Sequence, residues 1–131
     1  MIVGIGNDIV NIERLNKTPE FLERFGKRIL GNDELQELFK IKVTDIKTIA
    51  EKLAKIYAAK EAFAKALGTG FRDGIFLSDI QVLHDDVGKP FFKIGGGALI
   101  ALQKLCAENI VHLSISDDYP FATAFVIIEA K

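Results

Sequence analysis

The chain has 131 residues, enough for one hydrophobic core and too few for two ordinary domains. Hydrophobic residues make up 49% and charged residues 27%, the balance of a globular protein rather than a disordered one. A formal net charge of -1 gives no electrostatic case for nucleic acid, so any anionic ligand must be held by local basic groups.

From the N-terminus, Ile2 to Val10 reads as a strand that reaches a polar point at Asn7-Asp8. Thr18-Pro19-Glu20 is a helix start: Thr18 can cap, Pro19 suits the first turn and Glu20 suits the positive end. Phe21, Leu22, Phe25 and Ile29 then share one apolar face. Gly31-Asn32-Asp33 breaks this helix, and Asp33 is expected to cap a second, short one with Leu35, Leu38 and Phe39 as its apolar positions. Thr44-Asp45 opens the longest helix, in which Ile49, Leu53, Ile56, Phe63 and Leu67 recur at helical spacing until Gly68-Thr69-Gly70 ends it. Ile75 to Leu83 reads as a strand, Asp85 to Pro90 as a hairpin turn, and Phe91 to Ile94 as the returning strand. Gly95-Gly96-Gly97 precedes a helix from about Ala98 to Ala107, and is favoured as a flexible turn over an anion site. Strands at Ile110 to Ser116 and Phe121 to Ile128 follow, joined by Asp117 to Pro120. Strands paired largely by hairpins predict an α+β fold: one domain over residues 1–131, with a long central helix on a mainly antiparallel sheet.

Cys106 is the one cysteine, which excludes an internal disulfide and a Cys-rich zinc site; it is expected as a buried small hydrophobe in the last helix. Met1 to Asp8 carries no basic stretch, and its apolar run is broken by glycines and an aspartate, so a signal peptide is not expected. No apolar run reaches membrane-spanning length. A cytoplasmic protein is the expectation.

Three polar constellations stand apart from the core pattern. Asp8 follows an apolar run in a strand, where aspartate is disfavoured; it is either a metal ligand or a turn residue. Glu61 and Lys65 are four apart on the long helix, with a rise of roughly 6 Å between them. They read as a solvated ion pair, or as a carboxylate for a cation beside an ammonium for phosphate oxygens. Ala58, Ala62 and Ala66 around them leave room for something to approach the helix closely. His112, Ser114 and Ser116 alternate onto one strand face, which is either a solvated sheet face or a surface for phosphate or ribose. His84, at the hairpin, is expected to be exposed.

These constellations, in this order, resemble the holo-acyl-carrier-protein synthase family of phosphopantetheinyl transferases. Gly4-Ile5-Gly6-Asn7-Asp8-Ile9 matches the family's opening G-I-G-x-D-I. Ala58 through Gly70 matches A-x-K-E-A-x-x-K-A-x-G-T-G without a gap. Gly88-Lys89-Pro90 matches its hairpin, and His112 to Ser116 its H-x-S-x-S. The resemblance implies a homotrimer with active sites at subunit interfaces, with the fold of that family. It implies transfer of phosphopantetheine from coenzyme A to a serine of acyl carrier protein, in support of fatty acid biosynthesis. Asp8 and Glu61 then correspond to magnesium ligands. Lys65 corresponds to a phosphate contact beside the leaving group, and Gly68, His112, Ser114 and Ser116 to the coenzyme A pocket. Arg14 corresponds to a contact with the acidic carrier, helped by Arg24, Lys27 and Arg28. Glu61 and a metal-ordered water both remain open as the acceptor of the serine proton. Lys60 is taken as secondary because its helix direction differs. Two departures stand out: Ile56 occupies a position where many members have arginine, and Lys47, Lys52 and Lys55 do not align with the basic pair that meets the 3′-phosphate.

Overall fold

The computed structural model describes residues 1–42, 45–72 and 74–131. Strand β1 spans Ile2–Asn11 and runs into a 3-10 turn at Ile12–Arg14. Helices α1 (Pro19–Ile29), α2 (Asn32–Leu38) and α3 (Ile46–Leu67) follow. Then come β2 (Ile80–His84), β3 (Pro90–Ile94), α4 (Gly96–Leu105), β4 (Asn109–Asp118) and β5 (Phe121–Ala130). All pairing is antiparallel, in a three-stranded sheet ordered β1-β5-β4 and a separate β2-β3 hairpin. No helix among the described residues is long and apolar enough to cross a membrane.

Local chemistry sets most boundaries. The Thr18 hydroxyl accepts the Phe21 N–H at 3.1 Å, capping α1. Asp45 caps α3 by accepting the Thr48 N–H at 3.2 Å and the Thr48 hydroxyl at 2.7 Å; Thr44 lies outside the described residues. Gly68 closes α3 in the left-handed region at φ 79, where a side chain would be strained.

Four sequence expectations are corrected. Gly31, not Asp33, is the residue before α2, and its N–H is taken by the Glu34 carboxylate at 3.0 Å. The stretch Ile75 to Leu83 is not one strand. A 3-10 turn at Leu77–Asp79 precedes a strand that starts only at Ile80, because the carbonyls of Leu77 and Ile80 are bonded to a lysine of α3. Gly96 and Gly97 belong to the first turn of α4 and are not a spacer before it; a side chain at Gly97 would strike the Gly74 carbonyl. Cys106 lies just past α4, partly exposed, with its thiol donating to the Glu108 carbonyl at 3.0 Å.

Helix α3 is the centre of the core. Its buried Ala58, Ala62, Phe63 and Ala66 pack on the inner face of the three-stranded sheet, which supplies Ala122, Ala124, Val126 and Ile128. Phe63 also meets Phe92 of the hairpin with ring centroids 5.3 Å apart. The alanines do leave room for a close approach, and β1 itself fills it. A Cβ at Gly4 would collide with the Ala66 carbonyl, and one at Gly6 with the Ala62 carbonyl. Gly6→Ala is therefore expected to cost about 1–3 kcal/mol as β1 is pushed off α3. Urea denaturation measures this; a variant as stable as wild type would show that the contact is loose.

Candidate active site

The close crossing of β1 over α3 positions the first two constellations. Along β1, alternation turns Gly6 and then Asp8 toward α3, while Ile5, Asn7 and Ile9 face outward. On α3, Tyr57, Glu61 and Lys65 lie one turn apart along a single stripe. Asp8 is thus a strand residue, not a turn residue. The Lys65 ammonium donates to the Asp8 carboxylate at 3.0 Å and to the Asn7 carbonyl at 2.9 Å. The partner of Lys65 across space is therefore Asp8, where the spacing suggested Glu61. The Lys65 side chain is 54% exposed and that of Asp8 17%, so the site opens to the surface.

Tyr57 was missed by sequence reasoning. Burial, its interaction with the Glu61 carboxylate, and the charges of Glu61 and Asp8 push its phenol up to about 12. It stays protonated beside the Glu61 carboxylate. Its ring rests on Phe25 of α1 at 5.4 Å, Phe25 stacks on Phe21 at 6.1 Å, and the Arg28 guanidinium lies 5.9 Å from the Phe25 ring. An aromatic and basic path therefore leads along α1 to Glu61. Arg24 and Arg28 lie exposed on α1, and Arg14 is exposed in the turn after β1.

Lys60 is far from secondary. Its ammonium is fully buried and donates to Glu34 at 2.7 Å, and to the Leu77 and Ile80 carbonyls at 2.8 Å each. The other Glu34 oxygen accepts the Val82 N–H at 2.9 Å. Burial pushes the Glu34 carboxyl up and the Lys60 ammonium down, and each charge partly offsets the shift of the other. Nothing in the sequence near Lys60 pointed to a partner 26 residues away.

The third constellation lies elsewhere. His112, Ser114 and Ser116 are exposed on the outward face of β4, at the edge of the sheet opposite β1. His112 meets the Glu129 carboxylate at 2.9 Å, which lowers the Glu129 pKa. Asp8 faces the helix side of the sheet, so one chain separates these groups by a whole sheet. Gly68 is exposed just past Lys65, with open space on its Cα. Lys52 and Lys55 line a cleft of about 420 Å³ with His84, Gly88, Pro90 and Ile56, and Lys55 pairs with Asp117 at 3.7 Å. His84 is exposed and approaches Glu37 at 3.3 Å.

A long helix wrapped by antiparallel strands, with a strand aspartate and a helix glutamate–lysine pair at their crossing, is the arrangement expected of a phosphopantetheinyl transferase. Residues 4–124 match the 4′-phosphopantetheinyl transferase superfamily, and the chain belongs to that family. A holo-[acyl-carrier-protein] synthase of Erythrobacter litoralis is 46% identical over 134 residues, spanning 99% of this chain and 98% of that protein. The structure is similar to that of a holo-(acyl-carrier-protein) synthase from Bacillus anthracis in complex with CoA (3′,5′-ADP). The TM-score is 0.80 at 37% identity, covering 100% of this chain and 99% of the other. The acyl carrier protein synthase of Plasmodium yoelii with ADP bound gives a TM-score of 0.87 at 31% identity, covering 100% and 97%.

Proposed function

We propose that this protein transfers the 4′-phosphopantetheine group of coenzyme A to a serine hydroxyl of apo acyl carrier protein, releasing adenosine 3′,5′-bisphosphate in support of fatty acid biosynthesis. Residues 1–131 act as one catalytic domain. The reading rests on family membership and on one observation: Lys65 of α3, one helical turn past Glu61, donates to Asp8 of β1 at 3.0 Å.

The donor set fits magnesium. Asp8 and Glu61 offer hard oxygen ligands, and among the described residues no group of three or more His, Cys, Asp or Glu forms a cage. Two carboxylates completed by phosphate oxygens and water is the usual way this ion is held. Bound there, it supplies charge neutralisation and orientation of the diphosphate. The serine oxygen forms a bond to the β-phosphorus as the bond from that phosphorus to the bridging oxygen breaks. The hydroxyl proton passes to Glu61 or to an ordered water, both open as its acceptor, and adenosine 3′,5′-bisphosphate leaves with the electron pair of the broken bond. Lys65 places its ammonium against oxygens that gain charge in this step. Tyr57 stays protonated next to Glu61 along the same helix stripe.

The acidic carrier docks along Arg14, Arg24 and Arg28 beside the aromatic path of α1, which steers it toward Glu61. Gly68, His112, Ser114 and Ser116 contact coenzyme A. Because His112 and Asp8 occupy opposite faces and opposite edges of one sheet, both reach a single coenzyme A only if different copies supply them. The outward sheet face also exposes Ile5, Ile9, Phe121 and Phe125, an apolar surface suited to burial between copies. This favours sites shared between copies; a homotrimer acting in the cytoplasm is what the family resemblance adds. Mixed oligomers of His112→Ala and Lys65→Met subunits are accordingly expected to transfer faster than either variant alone. Activity after co-refolding measures this, and no gain over the separate variants would place both residues in one chain's site.

Mass spectrometry of an apo carrier incubated with the protein, coenzyme A and magnesium tests the reading. Addition of phosphopantetheine to the carrier serine is expected. Coenzyme A consumed with an unmodified carrier would instead identify a phosphohydrolase.

A further inference from the structure

Lys65 places its ammonium on the same carboxylate that a metal needs. Its nitrogen lies 3.0 Å from Asp8 Oδ1 and is anchored again on the Asn7 carbonyl at 2.9 Å. Asp8 is mostly buried, so its carboxylate has few directions open to a second cation. With two carboxylates and one ammonium, the cluster carries a single net negative charge. Magnesium sheds water reluctantly and gains little from so weak a site. A cation entering alone must also repel or displace the ammonium at Asp8.

Lys65 can leave. Its stem is flexible, its side chain is more than half exposed, and its ammonium has three donors that suit phosphate oxygens. A diphosphate arriving at the cluster brings the oxygens that magnesium lacks and a new partner for Lys65. Resting on the assignment of Asp8 and Glu61 as magnesium ligands, we propose that Lys65 holds Asp8 against free magnesium and yields it when a diphosphate binds. The site then accepts the metal–diphosphate chelate as a unit. Metal and coenzyme A raise each other's affinity, by the same factor in both directions.

Calorimetric titration of the whole protein with magnesium chloride, with and without coenzyme A, tests this. Without coenzyme A, Lys65→Met is expected to bind magnesium about fivefold tighter than wild type, since a competing ion pair of this exposure has been removed. Asp8→Asn added to Lys65→Met should abolish that gain. Coenzyme A should tighten magnesium binding less in Lys65→Met than in wild type. Lys65→Gln, with unchanged circular dichroism, guards against a folding artefact. Equal or weaker magnesium binding by both Lys65 variants, in a protein where coenzyme A still tightens the metal, overturns the competition alone. If coenzyme A leaves magnesium binding to wild type unchanged, the metal assignment fails and the competition falls with it.

Discussion

Lys65→Met is expected to lower kcat about a hundredfold at saturating coenzyme A and carrier, the scale on which one preorganised charge-stabilising donor acts. Its melting temperature should barely move. The Lys65 end of the pair with Asp8 is more than half exposed, and pairs open to water on this scale contribute less than about 1 kcal/mol. Methionine keeps much of the apolar stem and removes the charge. Loss of metal cannot explain the rate defect if the same variant binds free magnesium more tightly. Steady-state kinetics beside a thermal melt distinguish the outcomes. A wild-type kcat with a slightly lower melting temperature would reduce Lys65 to a surface partner of Asp8.

Glu34→Ala is expected to cost about 3–5 kcal/mol, the penalty for leaving one member of a buried ion pair without its partner. The carboxylate takes bonds from the Lys60 ammonium and from the Gly31 and Val82 N–H groups, and both side chains are fully buried. A loss of that size is a large part of the stability of an ordinary domain, so the variant should be partly unfolded at moderate temperature. Glu34→Leu combined with Lys60→Met should be far milder, because no charge remains inside. Urea denaturation of Glu34→Leu, Lys60→Met and the double variant gives the coupling. If Glu34→Ala stays within about 1 kcal/mol of wild type, Lys60 has found water or another acceptor.

The parts of the molecule legible in the sequence are those governed by neighbours along the chain. Thr18, Asp45 and Gly68 mark helix ends because caps act within three or four residues. The alternation of His112, Ser114 and Ser116 survives intact in β4, since period two is local. The failures involve partners distant in sequence. Lys60 looked like one more residue of a helix motif because Glu34, Leu77 and Ile80 come from three other segments. The same lysine holds the backbone just before β2 out of strand geometry, so an apolar run at Ile75 to Leu83 was read too long. Ala58, Ala62 and Ala66 announced a close approach correctly, but small residues do not say what approaches. The role of Tyr57 stayed hidden because a single hydroxyl on an otherwise apolar ring leaves no periodic trace.

The order β1-β5-β4 also bears on how the site comes into being. The strand that carries Asp8 precedes every other element of the fold, yet among the described residues its sheet neighbour begins at Phe121. During synthesis β1 can therefore find no ladder until β5 has emerged, and nearly the whole chain must close as a loop before the first strand is paired. Folding should be governed by this distant pairing rather than by the early formation of α3, and so be slow for a protein of its size. Nascent chains that end before β5 would hold a formed helix with Glu61 and Lys65 but no placed Asp8. They would also expose an unpaired apolar strand, a species open to aggregation until the last turn of the sheet is closed.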